Sequence, residues 1–483
     1  MDKLLGFLPD ADPTLPGVIT ECSNLIPFDQ GMMGAPSAAT PSGVPALASS
    51  CKGAAVLTRL DDLRRIIAGT FTKLYDLQSG AWTDVSTGSY LGAGDSKWIF
   101  AQFGNDAIAT NGVNKIQRSS GAAFSDIASA PKAKIVFTVG NQLMALNVDD
   151  GIEKPNGWHC CATYDASDWV TSITTLCASG QLVSSPGKIT AGGGLGEYAV
   201  AYKEKAIHLG RFVGAPTVWD WIQVPGGDAG CIGLKAWCDI GALGHFIVGS
   251  DSFYIFDGTR PVEIGYGEVR QWFYDVSSPQ FRYKTECVYD RQNRCVWILY
   301  PSIDSAENNK ALVYHLPSKK WGKVDITPQA ALNYVSAGVS IDQLGSFSPT
   351  IDGLSSYSFD SQFWLSGGKS FAVFNSSNQL QSLTAPSISS SLVTGDIGDD
   401  NAYTLLTKVR ARFYPGYKPT EARIETFSKA EEGAIPTLCC SAVMNDGKFD
   451  VVQSGRWHRG SISFTGDHRL SGLTASLTAE GDE

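Results

Sequence analysis

The sequence predicts an all-β chain built around a β-propeller-like core of six or seven blades, and three observations carry that prediction. The composition sets 51 Gly, 12 Trp and 17 Tyr beside only 5 Met in 483 residues, a bias toward pleated surfaces and tight turns. From about residue 54 onward, short strand-like runs are broken by turn signals such as Asn105-Asp106 and Asn111-Gly112. Large aromatics, taken as Trp82, Phe124, Trp169, Trp221, Trp272, Trp321 and Trp364, recur at spacings of roughly 40 to 50 residues, the period of a four-stranded blade. One blade cannot bury both of its faces alone, so blades stack and aromatics fill the gaps between them. A pair of β-sandwiches or a barrel is the alternative architecture.

Residues 1–53, with PDADPTLPG and GAPSAATPSGVPA, are rich in Pro, Gly, Ala and Ser and lack periodicity. They predict an extended N-terminal arm lying on a neighbouring surface. Deleting residues 1–40 is then expected to leave the propeller folded and to impair assembly. Residues 54–400 form the propeller-like core. Within it, Val313 to Trp321 (VYHLPSKKW) reads as a strand, a tight turn and a second strand ending on Trp. The pattern shifts again in residues 401–483. In TLLTKVRARFYPG, Arg410 and Arg412 alternate with Val409 and Ala411, as on a sheet with one wet face. This part is expected to close the propeller or to form a small β-domain.

Charge narrows the function classes. The net charge of -10 and the lack of a Lys/Arg cluster argue against a sequence-reading DNA-binder, which needs a basic face to collect phosphates. The opening MDKLLGFLPDADPTLPG lacks a signal-peptide pattern, and no run approaches the ~18 apolar residues of a membrane span. The 11 Cys are scattered, and the adjacent pairs Cys160-Cys161 and Cys439-Cys440 are poor disulfide geometry. Free, mostly buried thiols in a reducing cytoplasm are the expectation, with no stable membrane insertion.

Candidate chemistry is sparse. TAGGGLGE, residues 190–197, lacks the Gly-Lys-Ser/Thr ending of a phosphate loop and reads as a turn between strands. Trp158-His159-Cys160-Cys161 sets nitrogen and sulfur together but has no second ligand pair at zinc spacing, so a structural strand is expected. His245 lies in the apolar run HFIV and reads as a satisfied core residue. The acidic pairs Asp149-Asp150 and Asp399-Asp400 sit in polar turns rather than across a cleft as glycosidase chemistry requires. No catalytic, cofactor or metal residue is assigned, and the chain is expected not to be an enzyme. Arg456 and Trp457, in the cluster RWHR, are candidate subunit contacts, since Arg and Trp are favoured at interfaces; a solvated strand end is the competing reading.

Four stretches carry a family resemblance. They are LPDADPTLPGVITECSNLIPFDQGMMGAPS (residues 8–37), FGNDAIATNGVNKIQ (103–117), IDGLSSYSFDSQFW (351–364) and GRWHRGSISFTGDHRLSGLTASL (455–477). Nearly end to end, the chain resembles the tail hub/nozzle family of short-tailed bacteriophages, also called head-to-tail stabilisation or tubular tail proteins. The resemblance implies a virion tail subunit, assembled in the host cytoplasm as a homohexameric ring beneath the portal and adaptor. Such a ring retains and ejects the genome, with double-stranded DNA passing through the lumen without sequence-specific binding, and attaches tail fibres or spikes. Asp10, Asp12 and Pro13 of the Pro-Asp-rich stretch and Asn24 and Pro27 of the Asn-Leu-Ile-Pro step join Arg456 and Trp457 as candidate subunit contacts. The acidic balance suits a lumen that must not grip a polyanion. The rival readings are a glycan- or receptor-binding propeller tail protein and, behind it, a tail-associated glycosidase.

Overall fold

The computed structural model describes residues 2–335, 350 and 369–481, apart from residues 42, 62, 63, 79 and 93. Trp364 and the stretch 351–364 lie outside the described residues. The fold is a β-propeller joined to a β-sandwich. Six four-stranded sheets stand separately: residues 53–84, 99–126, 132–181, 189–223, 237–264, and 330–385 with 37–39. A further four-stranded meander, residues 286–325, continues at its outer edge into a larger sheet. The innermost strands of all seven units line one central cavity. The propeller part is therefore a ring of seven four-stranded units, six of them separate sheets.

Each blade is an antiparallel meander from the axis outward, as the hairpin registers show: Ile99–Phe103 with Asp106–Thr110, and Lys310–His315 with Lys320–Asp325. The latter is the hairpin read from VYHLPSKKW, and its turn places Lys319 at φ 56°. The aromatic rhythm marks blades, although not one repeated position. Trp82, Trp221 and Trp321 lie on outermost strands, Trp169 and Phe124 are buried in connections, and Trp272 lies in the short helix Arg270–Val276. Trp321 is fully buried and donates its indole N–H to Glu268 at 2.7 Å.

TAGGGLGE is not a turn. Ile189–Leu195 is the innermost strand of the fourth blade. Strands crowd near the axis, and the glycines make that possible: a Cβ on Gly193 would sit 2.0 Å from the Trp237 ring, and one on Gly192 2.4 Å from Leu146. The glycine-rich pattern that reads as loop chemistry here meets a steric need between blades.

The N-terminal expectation also requires correction. Residues 1–53 are not an arm free of strands on a neighbour's surface; the described part is woven into this chain. Ser37–Ala39 is the fourth strand of the seventh blade, pairing with Leu380–Ala385. Leu25–Phe28 pairs with Gly31–Gly34 and meets the sixth blade at Lys323. Val18–Ser23 pairs with Ser389–Thr394. Pro- and Gly-rich composition conceals these strands because each is short, and although Leu25–Phe28 and Gly31–Gly34 form a local hairpin, Val18–Ser23 and Ser37–Ala39 find their antiparallel partners far along the chain.

The strands of residues 403–481 build a two-layered sandwich to which both chain ends contribute. One layer continues the sixth blade through Leu25–Phe28 and Gly31–Gly34 to Arg469–Gly481, Tyr403–Phe413 and Lys448–Gly455. The other runs Gly6–Phe7, Val18–Ser23, Ser389–Thr394, Trp457–Thr465, Glu421–Lys429 and Thr437–Val443. In Tyr403–Phe413, Val409 and Ala411 are buried while Arg410 and Arg412 are exposed, the alternation read from the sequence. Inward residues such as Leu406, Ile424, Phe449, Ile462 and Phe464 join the propeller's fifth and sixth blades in one core. All eleven cysteines are free, eight of them buried.

Candidate functional site

Two cavities stand out. The central one, about 360 Å³, lies on the propeller axis and is lined by Ala54, Ile99, Ile135, Trp237, Glu286 and Asn333 among others. Lys235 and Glu286, bridged neighbours on its wall, form an ion pair at 2.9 Å. Lys97 donates to the Gln329 carbonyl at 2.9 Å, and burial pushes its ammonium below the usual lysine range. This space holds on the order of ten waters. It is far too narrow for a DNA duplex, whose major groove alone is about 12 Å wide.

The second cavity, about 270 Å³, opens where the N-terminal segment crosses the sandwich. Leu15, Leu406, Ile424 and Leu473 make it apolar, and Asp396, His458 and Arg459 border it. Asp396, 3% exposed, is the polar centre. Its carboxylate accepts from Lys429 Nζ at 2.6 Å and from Arg459 Nε and Nη2 at 2.8 and 2.9 Å. Its own amide donates to the Pro13 carbonyl at 2.7 Å. The Arg459 contact is bidentate, the strong form of a charge-assisted pair. His458 is fixed by two bonds: Gln453 Nε2 donates to Nδ1 at 2.9 Å, and Nε2 lies 2.9 Å from the Thr404 hydroxyl. Burial lowers its pKa, so it is a neutral positioning element at pH 7.

The seven sequence-proposed contacts all engage this chain. Asp10 accepts from the Gln271 and Trp272 amides at 2.6 and 2.8 Å, capping a helix that has no side-chain cap of its own. Asp12 closes a turn on the Thr14 amide and hydroxyl. Pro13 receives the Asp396 amide. Asn24 adopts φ 52° and accepts from the Asp325 amide at 3.0 Å. Pro27 lies in the strand Leu25–Phe28, opposite Met32. Arg456 places its guanidinium 4.9 Å from the Tyr403 ring centroid, and Trp457 donates to Asp400 at 2.6 Å. The structure brings Pro13 and Trp457 into one neighbourhood around residues 396–400, whereas Asp10, Asn24 and Pro27 bind the sixth blade and its adjoining helix.

Sequence reading missed Asp396 and Lys429, which are isolated charges in turn-like or alternating surroundings with no spacing to link them. Asp400 reads as a solvated turn acid, yet it accepts from Trp457 and from the Glu432 amide. His245 is the satisfied core residue expected, held by the Tyr202 hydroxyl at 2.7 Å and the Gly194 carbonyl at 3.1 Å. The strand Glu153–Cys160 carries Trp158, His159 and Cys160 as expected; Cys177 Sγ lies 3.7 Å from His159 Nε2. Among the described residues no group of three or more His, Cys, Asp or Glu is placed to hold a metal ion.

No protein-family model matches the sequence, and no curated protein does. Solved structures similar to this chain include YCF48 from Cyanidioschyzon merolae, at 11% identity and TM-score 0.39, covering 72% of this chain and 98% of that one. YCF48 bound to D1 peptide is similar at 10% identity and TM-score 0.33, over 60% of this chain and 84% of that one. A chain of the mitotic checkpoint complex is similar at 10% identity and TM-score 0.38, over 74% and 92%. Likenesses this distant carry no functional argument, and the propeller assignment rests on the strand pairing.

Proposed function

We propose that this chain is a non-enzymatic structural subunit of a short-tailed phage tail, of the hub or nozzle type, working as a homohexameric ring beneath the portal and adaptor. The observation that carries the reading is the resemblance at both ends of the sequence, residues 8–37 and 455–477, taken with their interleaving in one sandwich. Two segments that resemble the same family, more than 400 positions apart in sequence, fold here as one unit fixed to a propeller. In this proposal the DNA conduit lies between copies, because the propeller's own cavity is too small for a duplex. The net charge of -10 favours a wall that DNA passes without counterion-releasing attachment. Fibres or spikes and the adaptor are the other proposed partners, with the virion tail as the location.

Negative-stain images of the purified protein test this directly. Six-fold rings with an open channel are expected; lone propellers or fibrous trimers would sink the proposal. A second reading, a glycan- or receptor-binding propeller, draws on the central cavity, where the Trp237 ring stands beside Lys235, Glu286 and Asn333. Aromatic and amide groups lining one cavity suit a sugar ring. Saturable binding of a host glycan, lost in Trp237→Ala, would favour that reading over the ring.

A further inference from the structure

The two sandwich layers do not meet everywhere. Between them lies the cavity of about 270 Å³ whose opening the N-terminal segment crosses. Both layers supply its walls: Leu406, Val409 and Leu473 from one, Ile424 and Ile462 from the other. All five are at most 9% exposed, so this is interior space and not a surface groove. Protein interiors are packed to the density of organic crystals, with few voids larger than a water. One water takes about 30 Å³ of liquid volume and a methylene about as much, so a chain of roughly eight to ten carbons fits here. Apolar voids of this kind stay dry and take up apolar molecules.

The polar end of this chamber is unbalanced in charge. Lys429 and Arg459 share the single carboxylate of Asp396. Arg459 uses Nε and Nη2 for that contact, and its Nη1 has no hydrogen-bond partner among the described residues. The other polar side chains lining this end are satisfied within the chain: His458 by Gln453 and Thr404, Thr394 by the Gly395 carbonyl and the Gly460 amide, and Thr426 by the Cys440 carbonyl. Acids on the bordering segments are engaged elsewhere, Asp12 by Thr14, Asp399 by the amides of Asn401 and Ala402, Asp400 by the Trp457 indole, and Glu480 by the Ser454 hydroxyl. Glu432 offers Lys429 only its carbonyl. What remains is one cation in excess, on a side chain 23% exposed, at the end of an apolar space. An apolar pocket with a few convergent polar groups is the usual makeup of a small-molecule site. We propose that this cavity binds a single-chain alkyl carboxylate, its tail between the two layers and its carboxylate on Arg459. Guanidinium–carboxylate bonds are of the strong, charge-assisted class, and the bound acid sets two anions against two cations. The site goes beyond the tail-subunit reading and stands whether or not the chain forms a ring.

Isothermal titration calorimetry of the full chain with sodium decanoate, kept below the concentration at which it forms micelles, should show saturable binding of one molecule per chain. Hydrogen exchange should place the added protection at residues 14–18 and 394–398, which border the cavity. Decanol, with the same tail and no charge, should bind at least about tenfold more weakly, and decyltrimethylammonium should not compete. Arg459→Met leaves Lys429 and Asp396 as a one-to-one pair and should remove the preference for decanoate over decanol. Ala475→Leu lies on the inward row with Leu473 and Leu477; it should fill the space and weaken both ligands at least about tenfold, with circular dichroism unchanged. A wild-type chain without saturable decanoate binding, or one whose affinity Ala475→Leu leaves unaltered, overturns the proposal. Equal affinity for decanoate and decanol overturns the part given to Arg459. Capture on phosphatidylglycerol vesicles, which carry similar tails without a free carboxylate, in a chain that ignores decanoate would assign the space to membrane lipid and overturn the proposal as well.

Discussion

Removing the Asp396 carboxylate should be among the most damaging single substitutions in the sandwich. In Asp396→Ala, the Lys429 ammonium, whose side chain is 7% exposed, and the Arg459 guanidinium, at 23%, lose a shared partner that is itself 1% exposed. Breaking a buried ion pair from one side costs about 3–5 kcal/mol, because the surviving charge is desolvated without compensation. The second cation here argues for the upper part of that range. Salt should soften the loss little, since a buried pair is screened weakly. Urea unfolding followed by tryptophan fluorescence and circular dichroism gives the free-energy change, and hydrogen exchange locates it in residues 389–465. The reciprocal experiment replaces the whole triad: Asp396→Leu, Lys429→Met and Arg459→Met together should come close to wild-type stability, because apolar groups of similar volume often equal a buried ionic cluster. An Asp396→Ala protein within about 1 kcal/mol of wild type would refute the reasoning.

Three further outcomes are expected. Gly193→Ala drives a Cβ to 2.0 Å from the rigid Trp237 ring, so it should cost about 1–3 kcal/mol by overpacking; partial recovery in Gly193→Ala/Trp237→Leu, read in a double-mutant cycle, would identify that contact as the cause. For pH, burial and then the neighbouring Lys203 depress His208 to about 4 from its ordinary 6.5. The unfolded chain therefore binds the proton first as pH falls, so this contribution is complete above pH 6.5 and is lost between 6.5 and about 4; a His208→Gln variant should show a flatter stability profile there by differential scanning calorimetry. Deleting residues 1–40 should now abolish soluble, monodisperse protein, because it strips the fourth strand from the seventh blade and uncovers the edge of the sixth; a soluble chain with an intact propeller melting transition would contradict this.

The propeller was legible because its signal is repeated. Trp82, Trp221 and Trp321 recur on equivalent outer strands, and each hairpin announces itself by local turn chemistry, as at Asn105-Asp106. The sandwich was only half legible. Val409 and Ala411 alternate with Arg410 and Arg412 over a long local run, but their layer is completed by Leu25–Phe28 and Gly31–Gly34, far away in sequence. Ser37–Ala39 pairs only at long range and leaves no periodicity where it is read, and the proline that suggests coil at Pro27 is tolerated within a four-residue strand. The site escaped notice for a related reason. Asp396, Lys429 and Arg459 are separated by 33 and 30 positions, and nothing in residue spacing says that three charges will share one buried point. TAGGGLGE misled in the opposite direction, since glycine serves close backbone approach as readily as it serves a turn.

The closing strand of the seventh blade imposes an order on the protein's making. Ala39 pairs with Ser382, and Asp2 with Leu473, so these segments must wait for partners made far later in synthesis. At about 5–20 residues per second of synthesis, Ser37–Ala39 stays without its partner for roughly 20–70 s. During that time the earlier blades can form hairpins, but neither the ring nor the sandwich can close. The layer of Thr437–Val443 and Glu421–Lys429 is complete only after Trp457–Thr465 has arrived, so a truncated or stalled chain leaves both the ring and the sandwich open.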